Sequence, residues 1–137
     1  GVPCPNLTSR CRCAIHPELG ARGFGGCAAY SCFGAGQRVT QAYRTMACAP
    51  GWEDSRNEAF LALRVAHELL WLLDGALRRT PARFREVRMA LEREQELLES
   101  LASDAGPGVV DLAGAIERRR PFVMKAVRDL GRALEVG

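Results

Sequence analysis

All six cysteines of this chain, at positions 4, 11, 13, 27, 32 and 48, fall within its first 48 residues, and none follows. The same stretch carries Gly20, Gly23, Gly25, Gly26, Gly34 and Gly36. No sustained alternation of apolar and polar residues marks strands there, and the closely spaced Gly20, Gly23, Gly25 and Gly26 are expected to break any helix. A short helix from about Tyr30 to Tyr43 is the one regular element the pattern allows. Fixing so much irregular backbone is opposed by roughly 1–2 kcal/mol of conformational entropy per residue. Something other than an apolar core must order this region, and cross-links through sulfur are the obvious candidate.

Near Ala49-Pro50-Gly51 the composition changes, and from Ser55 onward the pattern is helical. The expected organisation is a Cys/Gly-rich metal-binding segment over residues 1–50 and a helical scaffold over 51–137, forming one compact unit. Asn57 to Arg79 reads as a long helix that is apolar around most of its circumference, with a polar stripe at Arg64 and Glu68; such a helix belongs inside a packed protein. Thr80 is expected to N-cap a second helix, with Pro81 in its first turn, where a missing N–H costs little. That helix runs to about Ala102, amphipathic through Phe84, Val87, Leu91, Leu98 and Leu101, with Arg88 and Glu92 spaced to pair on its outer face. A loop follows at 104–108. Asp111 to Leu134 forms a third helix, which Pro121 is expected to kink or split. The fold class is therefore mainly α: a small bundle or hairpin of about three helices, antiparallel where connections are short, carrying an irregular N-terminal segment.

The 137 residues suffice for one domain with a hydrophobic core. No apolar run of membrane-spanning length is present, and no leader is visible, although the chain begins at Gly1 rather than Met. The net charge of +3 comes from interleaved signs. Arg118-Arg119-Arg120 is the one dense basic cluster, and without a basic stripe and stacking aromatics it reads as a solvated helix face rather than a nucleic-acid footprint.

Three roles compete for the cysteines. Six is an even number, as a disulfide framework needs. Inert buried thiols would account for one or two of them, but not for six. A metal site is the third reading. Paired Cys-x-x-Cys knuckles, the usual zinc signature, are absent. Cys4 is followed by Pro5, as some iron–sulfur ligands are. Cys27 and Cys32 lie in Gly25-Gly-Cys-Ala-Ala-Tyr-Ser-Cys-Phe-Gly-Ala-Gly36, where small residues leave backbone N–H groups free to approach sulfur and to stabilise its negative charge.

Cys4-Pro-Asn-Leu, Cys13-Ala-Ile-His16, Arg22-Gly-Phe-Gly-Gly-Cys27 and Tyr30-Ser-Cys-Phe-Gly-Ala-Gly-Gln37, followed by Ala66-His-Glu-Leu-Leu-Trp-Leu-Leu73, together resemble the N-terminal region of actinobacterial pentapeptide-repeat proteins. The pentapeptide repeats themselves do not occur in this sequence. The resemblance implies an intracellular, cytoplasmic protein, which argues against disulfides. It also implies that the recurrent cysteines are Cys4, Cys13, Cys27 and Cys32, with Cys11 and Cys48 particular to this chain. Ser31 stands where the family is usually acidic. Four thiolates suit a 4Fe–4S cluster or tetrahedral zinc by count. The missing knuckles, the Cys-Pro pair and the glycine-rich surroundings favour the cluster, with zinc as the alternative.

His16, three residues after Cys13, is a possible replacement ligand or a donor to a ligand sulfur, and otherwise a residue capping the turn before Pro17. His67 lies on the most apolar helix, one turn before Trp71, where a satisfied core histidine is the ordinary reading; haem attachment would need a Cys-x-x-Cys-His motif that the chain lacks. Glu68 and Asp74 do not form a catalytic pair, and Gly34-Ala-Gly36 lacks the strand and the lysine of a nucleotide loop. The expected function is a redox or sensory module with a protein partner and without a membrane. The pattern leans away from an enzyme. The alternative is a zinc-stapled structural or interaction protein.

Overall fold

The protein is described by a computed structural model covering residues 4–6, 8, 13–44, 51–107 and 111–136. It is mainly helical, and it divides into two compact units, Gly1–Ser31 and Cys32–Gly137.

The larger unit contains helices α2 (Ala35–Ala42), α3 (Trp52–Arg79), α4 (Arg85–Asp104) and α5 (Leu112–Val136). Apolar residues recurring every three or four positions set the inward line of each long helix. In α3 that line is Ala59, Ala62, Leu63, Ala66, Leu69, Leu73 and Ala76. α4 contributes Leu91, Leu98 and Ala102, and α5 contributes Leu112, Ile116, Val123, Ala126 and Leu130. The three helices pack pairwise on one another, and α2 packs on α3. The alanines of α3 let its neighbours approach closely, so it becomes the hub of the bundle. It is not enclosed on every side, because Leu61 and Trp71 remain more than half exposed.

Polar contacts reinforce the packing. Arg38 of α2 donates to the carbonyls of Ala102 and Ser103, which lie in the last turn of α4 and have no partner within the helix. The Tyr43 hydroxyl lies 2.9 Å from Ser55 Oγ, joining the end of α2 to the start of α3. Arg119 of α5 holds the buried Glu94 of α4 with Nε at 3.0 Å from Oε2, while its guanidinium carbon sits 4.5 Å from the centre of the Phe122 ring. The Arg88–Glu92 spacing read in the sequence forms an ion pair at 2.9 Å.

Two helix boundaries differ from expectation. Thr80 caps the C-terminus of α3 rather than the N-terminus of α4. It is extended at φ −82 and ψ 110, as a residue preceding proline prefers to be. Its N–H returns to Leu77 O and its hydroxyl donates to Ala76 O at 2.8 Å. The Phe84 N–H then bonds Pro81 O at 3.0 Å, a turn that delays α4 to Arg85. Pro121 does not split α5, which runs unbroken through it. Proline removes one ladder bond, but Ile116 and Val123 on either side are fully buried in the same core and hold the two halves in line.

The smaller unit is built from local turns. A 3-10 turn spans His16–Glu18, and α1 spans Gly25–Ala29. Ala14 N–H bonds Asn6 O at 2.8 Å, Phe24 N–H bonds Leu19 O at 2.8 Å, and Tyr30 N–H bonds Gly26 O at 2.9 Å. A helical turn thus runs through Gly25 and Gly26, against the expected break. Glycine lowers helix propensity by about 1 kcal/mol without forbidding the conformation, and it is Gly23, at φ +81, that turns the chain before α1.

Candidate functional site

The most developed arrangement of reactive groups lies at the start of the larger unit. Cys32, Phe33, Gly34 and Ala35 form a tight turn in which Ala35 N–H bonds Cys32 O at 2.9 Å. Both central residues are left-handed, Phe33 at φ +50 and Gly34 at φ +83, the signature of a type I′ turn. Glycine adopts this conformation freely, whereas phenylalanine does so at some steric cost. Gly34 is also the N-cap of α2.

This turn directs backbone N–H groups at the half-buried Cys32 sulfur. The Gly36 amide hydrogen-bonds it most strongly and the Gly34 amide next; partial burial opposes them, and Cys32's own N–H and that of Ala35 add smaller contributions. Together they hold the thiol below its ordinary ionisation range, so the thiolate is favoured. A Cβ on Gly36 would come to 3.9 Å from the Cys32 sulfur and equally near the Phe60 ring. The N-terminus of α2 adds its partial positive charge to the same end.

His67 of α3 touches this turn from the other side. Its Nδ1 lies 2.8 Å from Phe33 O. A carbonyl only accepts, so Nδ1 carries the hydrogen and donates it. The ring is thus a partnered, half-buried histidine, as its apolar helix suggested. Phe33 also stacks on Trp71 at 6.0 Å between ring centres, inclined by 49°.

Cys4, Cys13 and Cys27 belong to the smaller unit. Cys4 and Cys27 are exposed and Cys13 is half-buried. The Cys27 N–H bonds Phe24 O at 3.0 Å within α1. All four described cysteines carry free thiols, while Cys11 and Cys48 lie outside the described residues. His16 is exposed and opens the 3-10 turn itself, with Ile15 rather than His16 at its N-cap position. Among the described residues, no three His, Cys, Asp or Glu side chains gather as metal ligands would. By donor chemistry the thiols fit a soft metal.

Other polar candidates have structural partners. Asp74 pairs with Arg78 at 2.8 Å and Glu68 with Arg64 at 3.6 Å. In the basic run, Arg118 pairs with Asp111, Arg119 with Glu94 and Arg120 with Glu117. Among the described residues, no helix is long and apolar enough to cross a membrane. Sequence reasoning missed the left-handed Phe33–Gly34 pair, for which Cys-x-Gly at the start of an amphipathic helix is the available signal, and the His67 bond to Phe33, for which the sequence carries none.

No protein-family model matches the chain, and no solved structure matches it. It is 41% identical over 80 residues to the uncharacterized protein YybG of Bacillus subtilis strain 168, an alignment that takes in 56% of this chain. The chain spans only 29% of the length of that relative.

Proposed function

We propose that this chain is a thiolate metal-binding module in which Cys4, Cys13, Cys27 and Cys32 are the ligands of an iron–sulfur cluster, 4Fe–4S in type, serving a redox or sensory role. The observation that carries this reading is the Cys32 sulfur. Backbone donors hold it toward the thiolate, the form that binds metal, and the same donors tune the charge of a ligand sulfur once bound. The free thiols at Cys4, Cys13 and Cys27 supply the remaining ligands, and the resemblance of their motifs to the N-terminal region of pentapeptide-repeat proteins supports the same set. His16 is the candidate donor to a ligand sulfur.

When bound, such a cluster supplies one-electron chemistry. The chain's own contribution is to present soft sulfur ligands, to stabilise negative charge through the amides of Gly34 and Gly36, and to couple ligand capture to the order of the Cys/Gly-rich segment. A module of this kind acts in a reducing, cytoplasmic compartment and passes its state to a protein partner; the carboxylates that engage Arg118, Arg119 and Arg120 argue against nucleic acid in that place. Anaerobic purification tests the reading. The expected result is brown protein containing iron and acid-labile sulfide, both lost in the Cys32→Ser variant. Colourless protein with stoichiometric zinc would replace the reading with a zinc-stapled interaction module, and metal-free protein would end both.

A further inference from the structure

The metal-binding reading leaves His67 without a task, yet it makes a side-chain bond to the turn that carries Cys32. Three observations meet there. Phe33 is held at φ +50, where a bulky L-residue is strained. The Phe33 carbonyl is fixed at 2.8 Å by the His67 ring from a different helix. Just beyond, the Gly36 backbone lies against the Cys32 sulfur, which a Cβ there would meet at 3.9 Å.

A strained turn persists only where its surroundings over-determine it. Here the local Ala35-to-Cys32 backbone bond alone would not select the left-handed pair, because many turns of other types make that same bond. The His67 bond and the Phe33–Trp71 stacking both add selection from α3. A Cβ on Gly34 would lie 3.9 Å from His67 Nδ1, so ring and turn are in immediate contact.

We infer that His67 is a positioning residue: by donating from Nδ1 to the Phe33 carbonyl it holds the Phe33–Gly34 turn left-handed and thereby keeps the Gly36 backbone against the Cys32 sulfur. The importance of this role rests on the reading of Cys32 as a metal ligand, but its test uses the metal-free chain and stands apart from it. Asparagine places Nδ2 close to where histidine places Nδ1, so His67→Asn preserves the donor, whereas His67→Leu fills similar space without one.

Hydrogen–deuterium exchange of the segment 33–37 is read in wild type and both variants. In His67→Leu the segment is expected to lose protection while the middle of α3 keeps its own. His67→Asn is expected to restore that protection. Unchanged protection in His67→Leu, or failure of His67→Asn to restore it, would overturn the inference. Should His67→Leu fail to fold, nitrogen NMR of the wild-type ring decides: hydrogen on Nδ1 is required, and a neutral ring carrying it on Nε2 contradicts the role. Absence of a metal centre in the purified protein would refute the proposed function while leaving each of these outcomes intact.

Discussion

Leu98 and Cys27 represent two ways of holding a chain. Leu98 is fully buried in a core whose members all come from Ala35 onward. Cys27 is exposed in a segment where, among the described residues up to Ser31, only Ile15 and Leu19 are buried. The helical unit is held by area removed from water, worth about 25 cal/mol per Å². The Cys/Gly-rich unit has little such area and relies on local backbone bonds that by themselves stabilise only modestly. The difference teaches that periodic apolar patterning makes a fold self-sufficient, whereas clustered cysteines and glycines leave a fold that waits for something else to complete it.

The largest test of this contrast is Leu98→Ala. It should destabilise the helical unit by about 2–5 kcal/mol, read in urea unfolding followed by helical circular dichroism. Ile15→Ala should move the same transition far less, and equal effects would erase the contrast. Next comes Glu94→Ala, which leaves the three-quarters buried Arg119 side chain without its carboxylate. A cost of about 2 kcal/mol is expected, below that of a fully buried pair because Arg119 keeps some solvent. The same substitution in the two regions gives a finer comparison. Gly34→Ala should cost about 1 kcal/mol, through its positive φ rather than through any clash. Gly26→Ala meets open space in α1 and should be neutral or slightly stabilising. The smallest effect is on pH. Cys32 ionises below the ordinary thiol range when folded, so between the folded and unfolded values the unfolded chain binds more protons. Stability of the metal-free chain should rise with pH across that window, be fully present above the unfolded value, and be lost as pH falls through the folded one. Cys32→Ser should flatten this slope.

What the sequence revealed follows the same division. The three long helices were legible because Leu63, Leu69 and Leu73, or Ile116, Val123 and Leu130, repeat at helical spacing. Their ends were less so. Thr80 followed by proline fits a cap at either terminus, and only the bonds to Ala76 and Leu77 decide which. Pro121 looked disruptive because a proline's local cost is visible in sequence, while the core contacts that offset it are not. In the Cys/Gly-rich part, the closeness of small residues to sulfur was legible as composition and appears at Cys32 as amide hydrogen bonds. The left-handed Phe33 was not legible, since nothing in a phenylalanine announces positive φ. The bond from His67 spans 34 positions of sequence, and no periodic pattern encodes a contact of that kind.

Residue-resolved amide exchange of anaerobically prepared protein, before and after metal removal by a chelator, tests the central claim most directly. If sulfur ligation orders the first third of the chain, amides from 13 to 31 lose their protection on chelation while those in the middle of α3, α4 and α5 keep theirs. Protection of 13–31 that is the same with and without metal would contradict it.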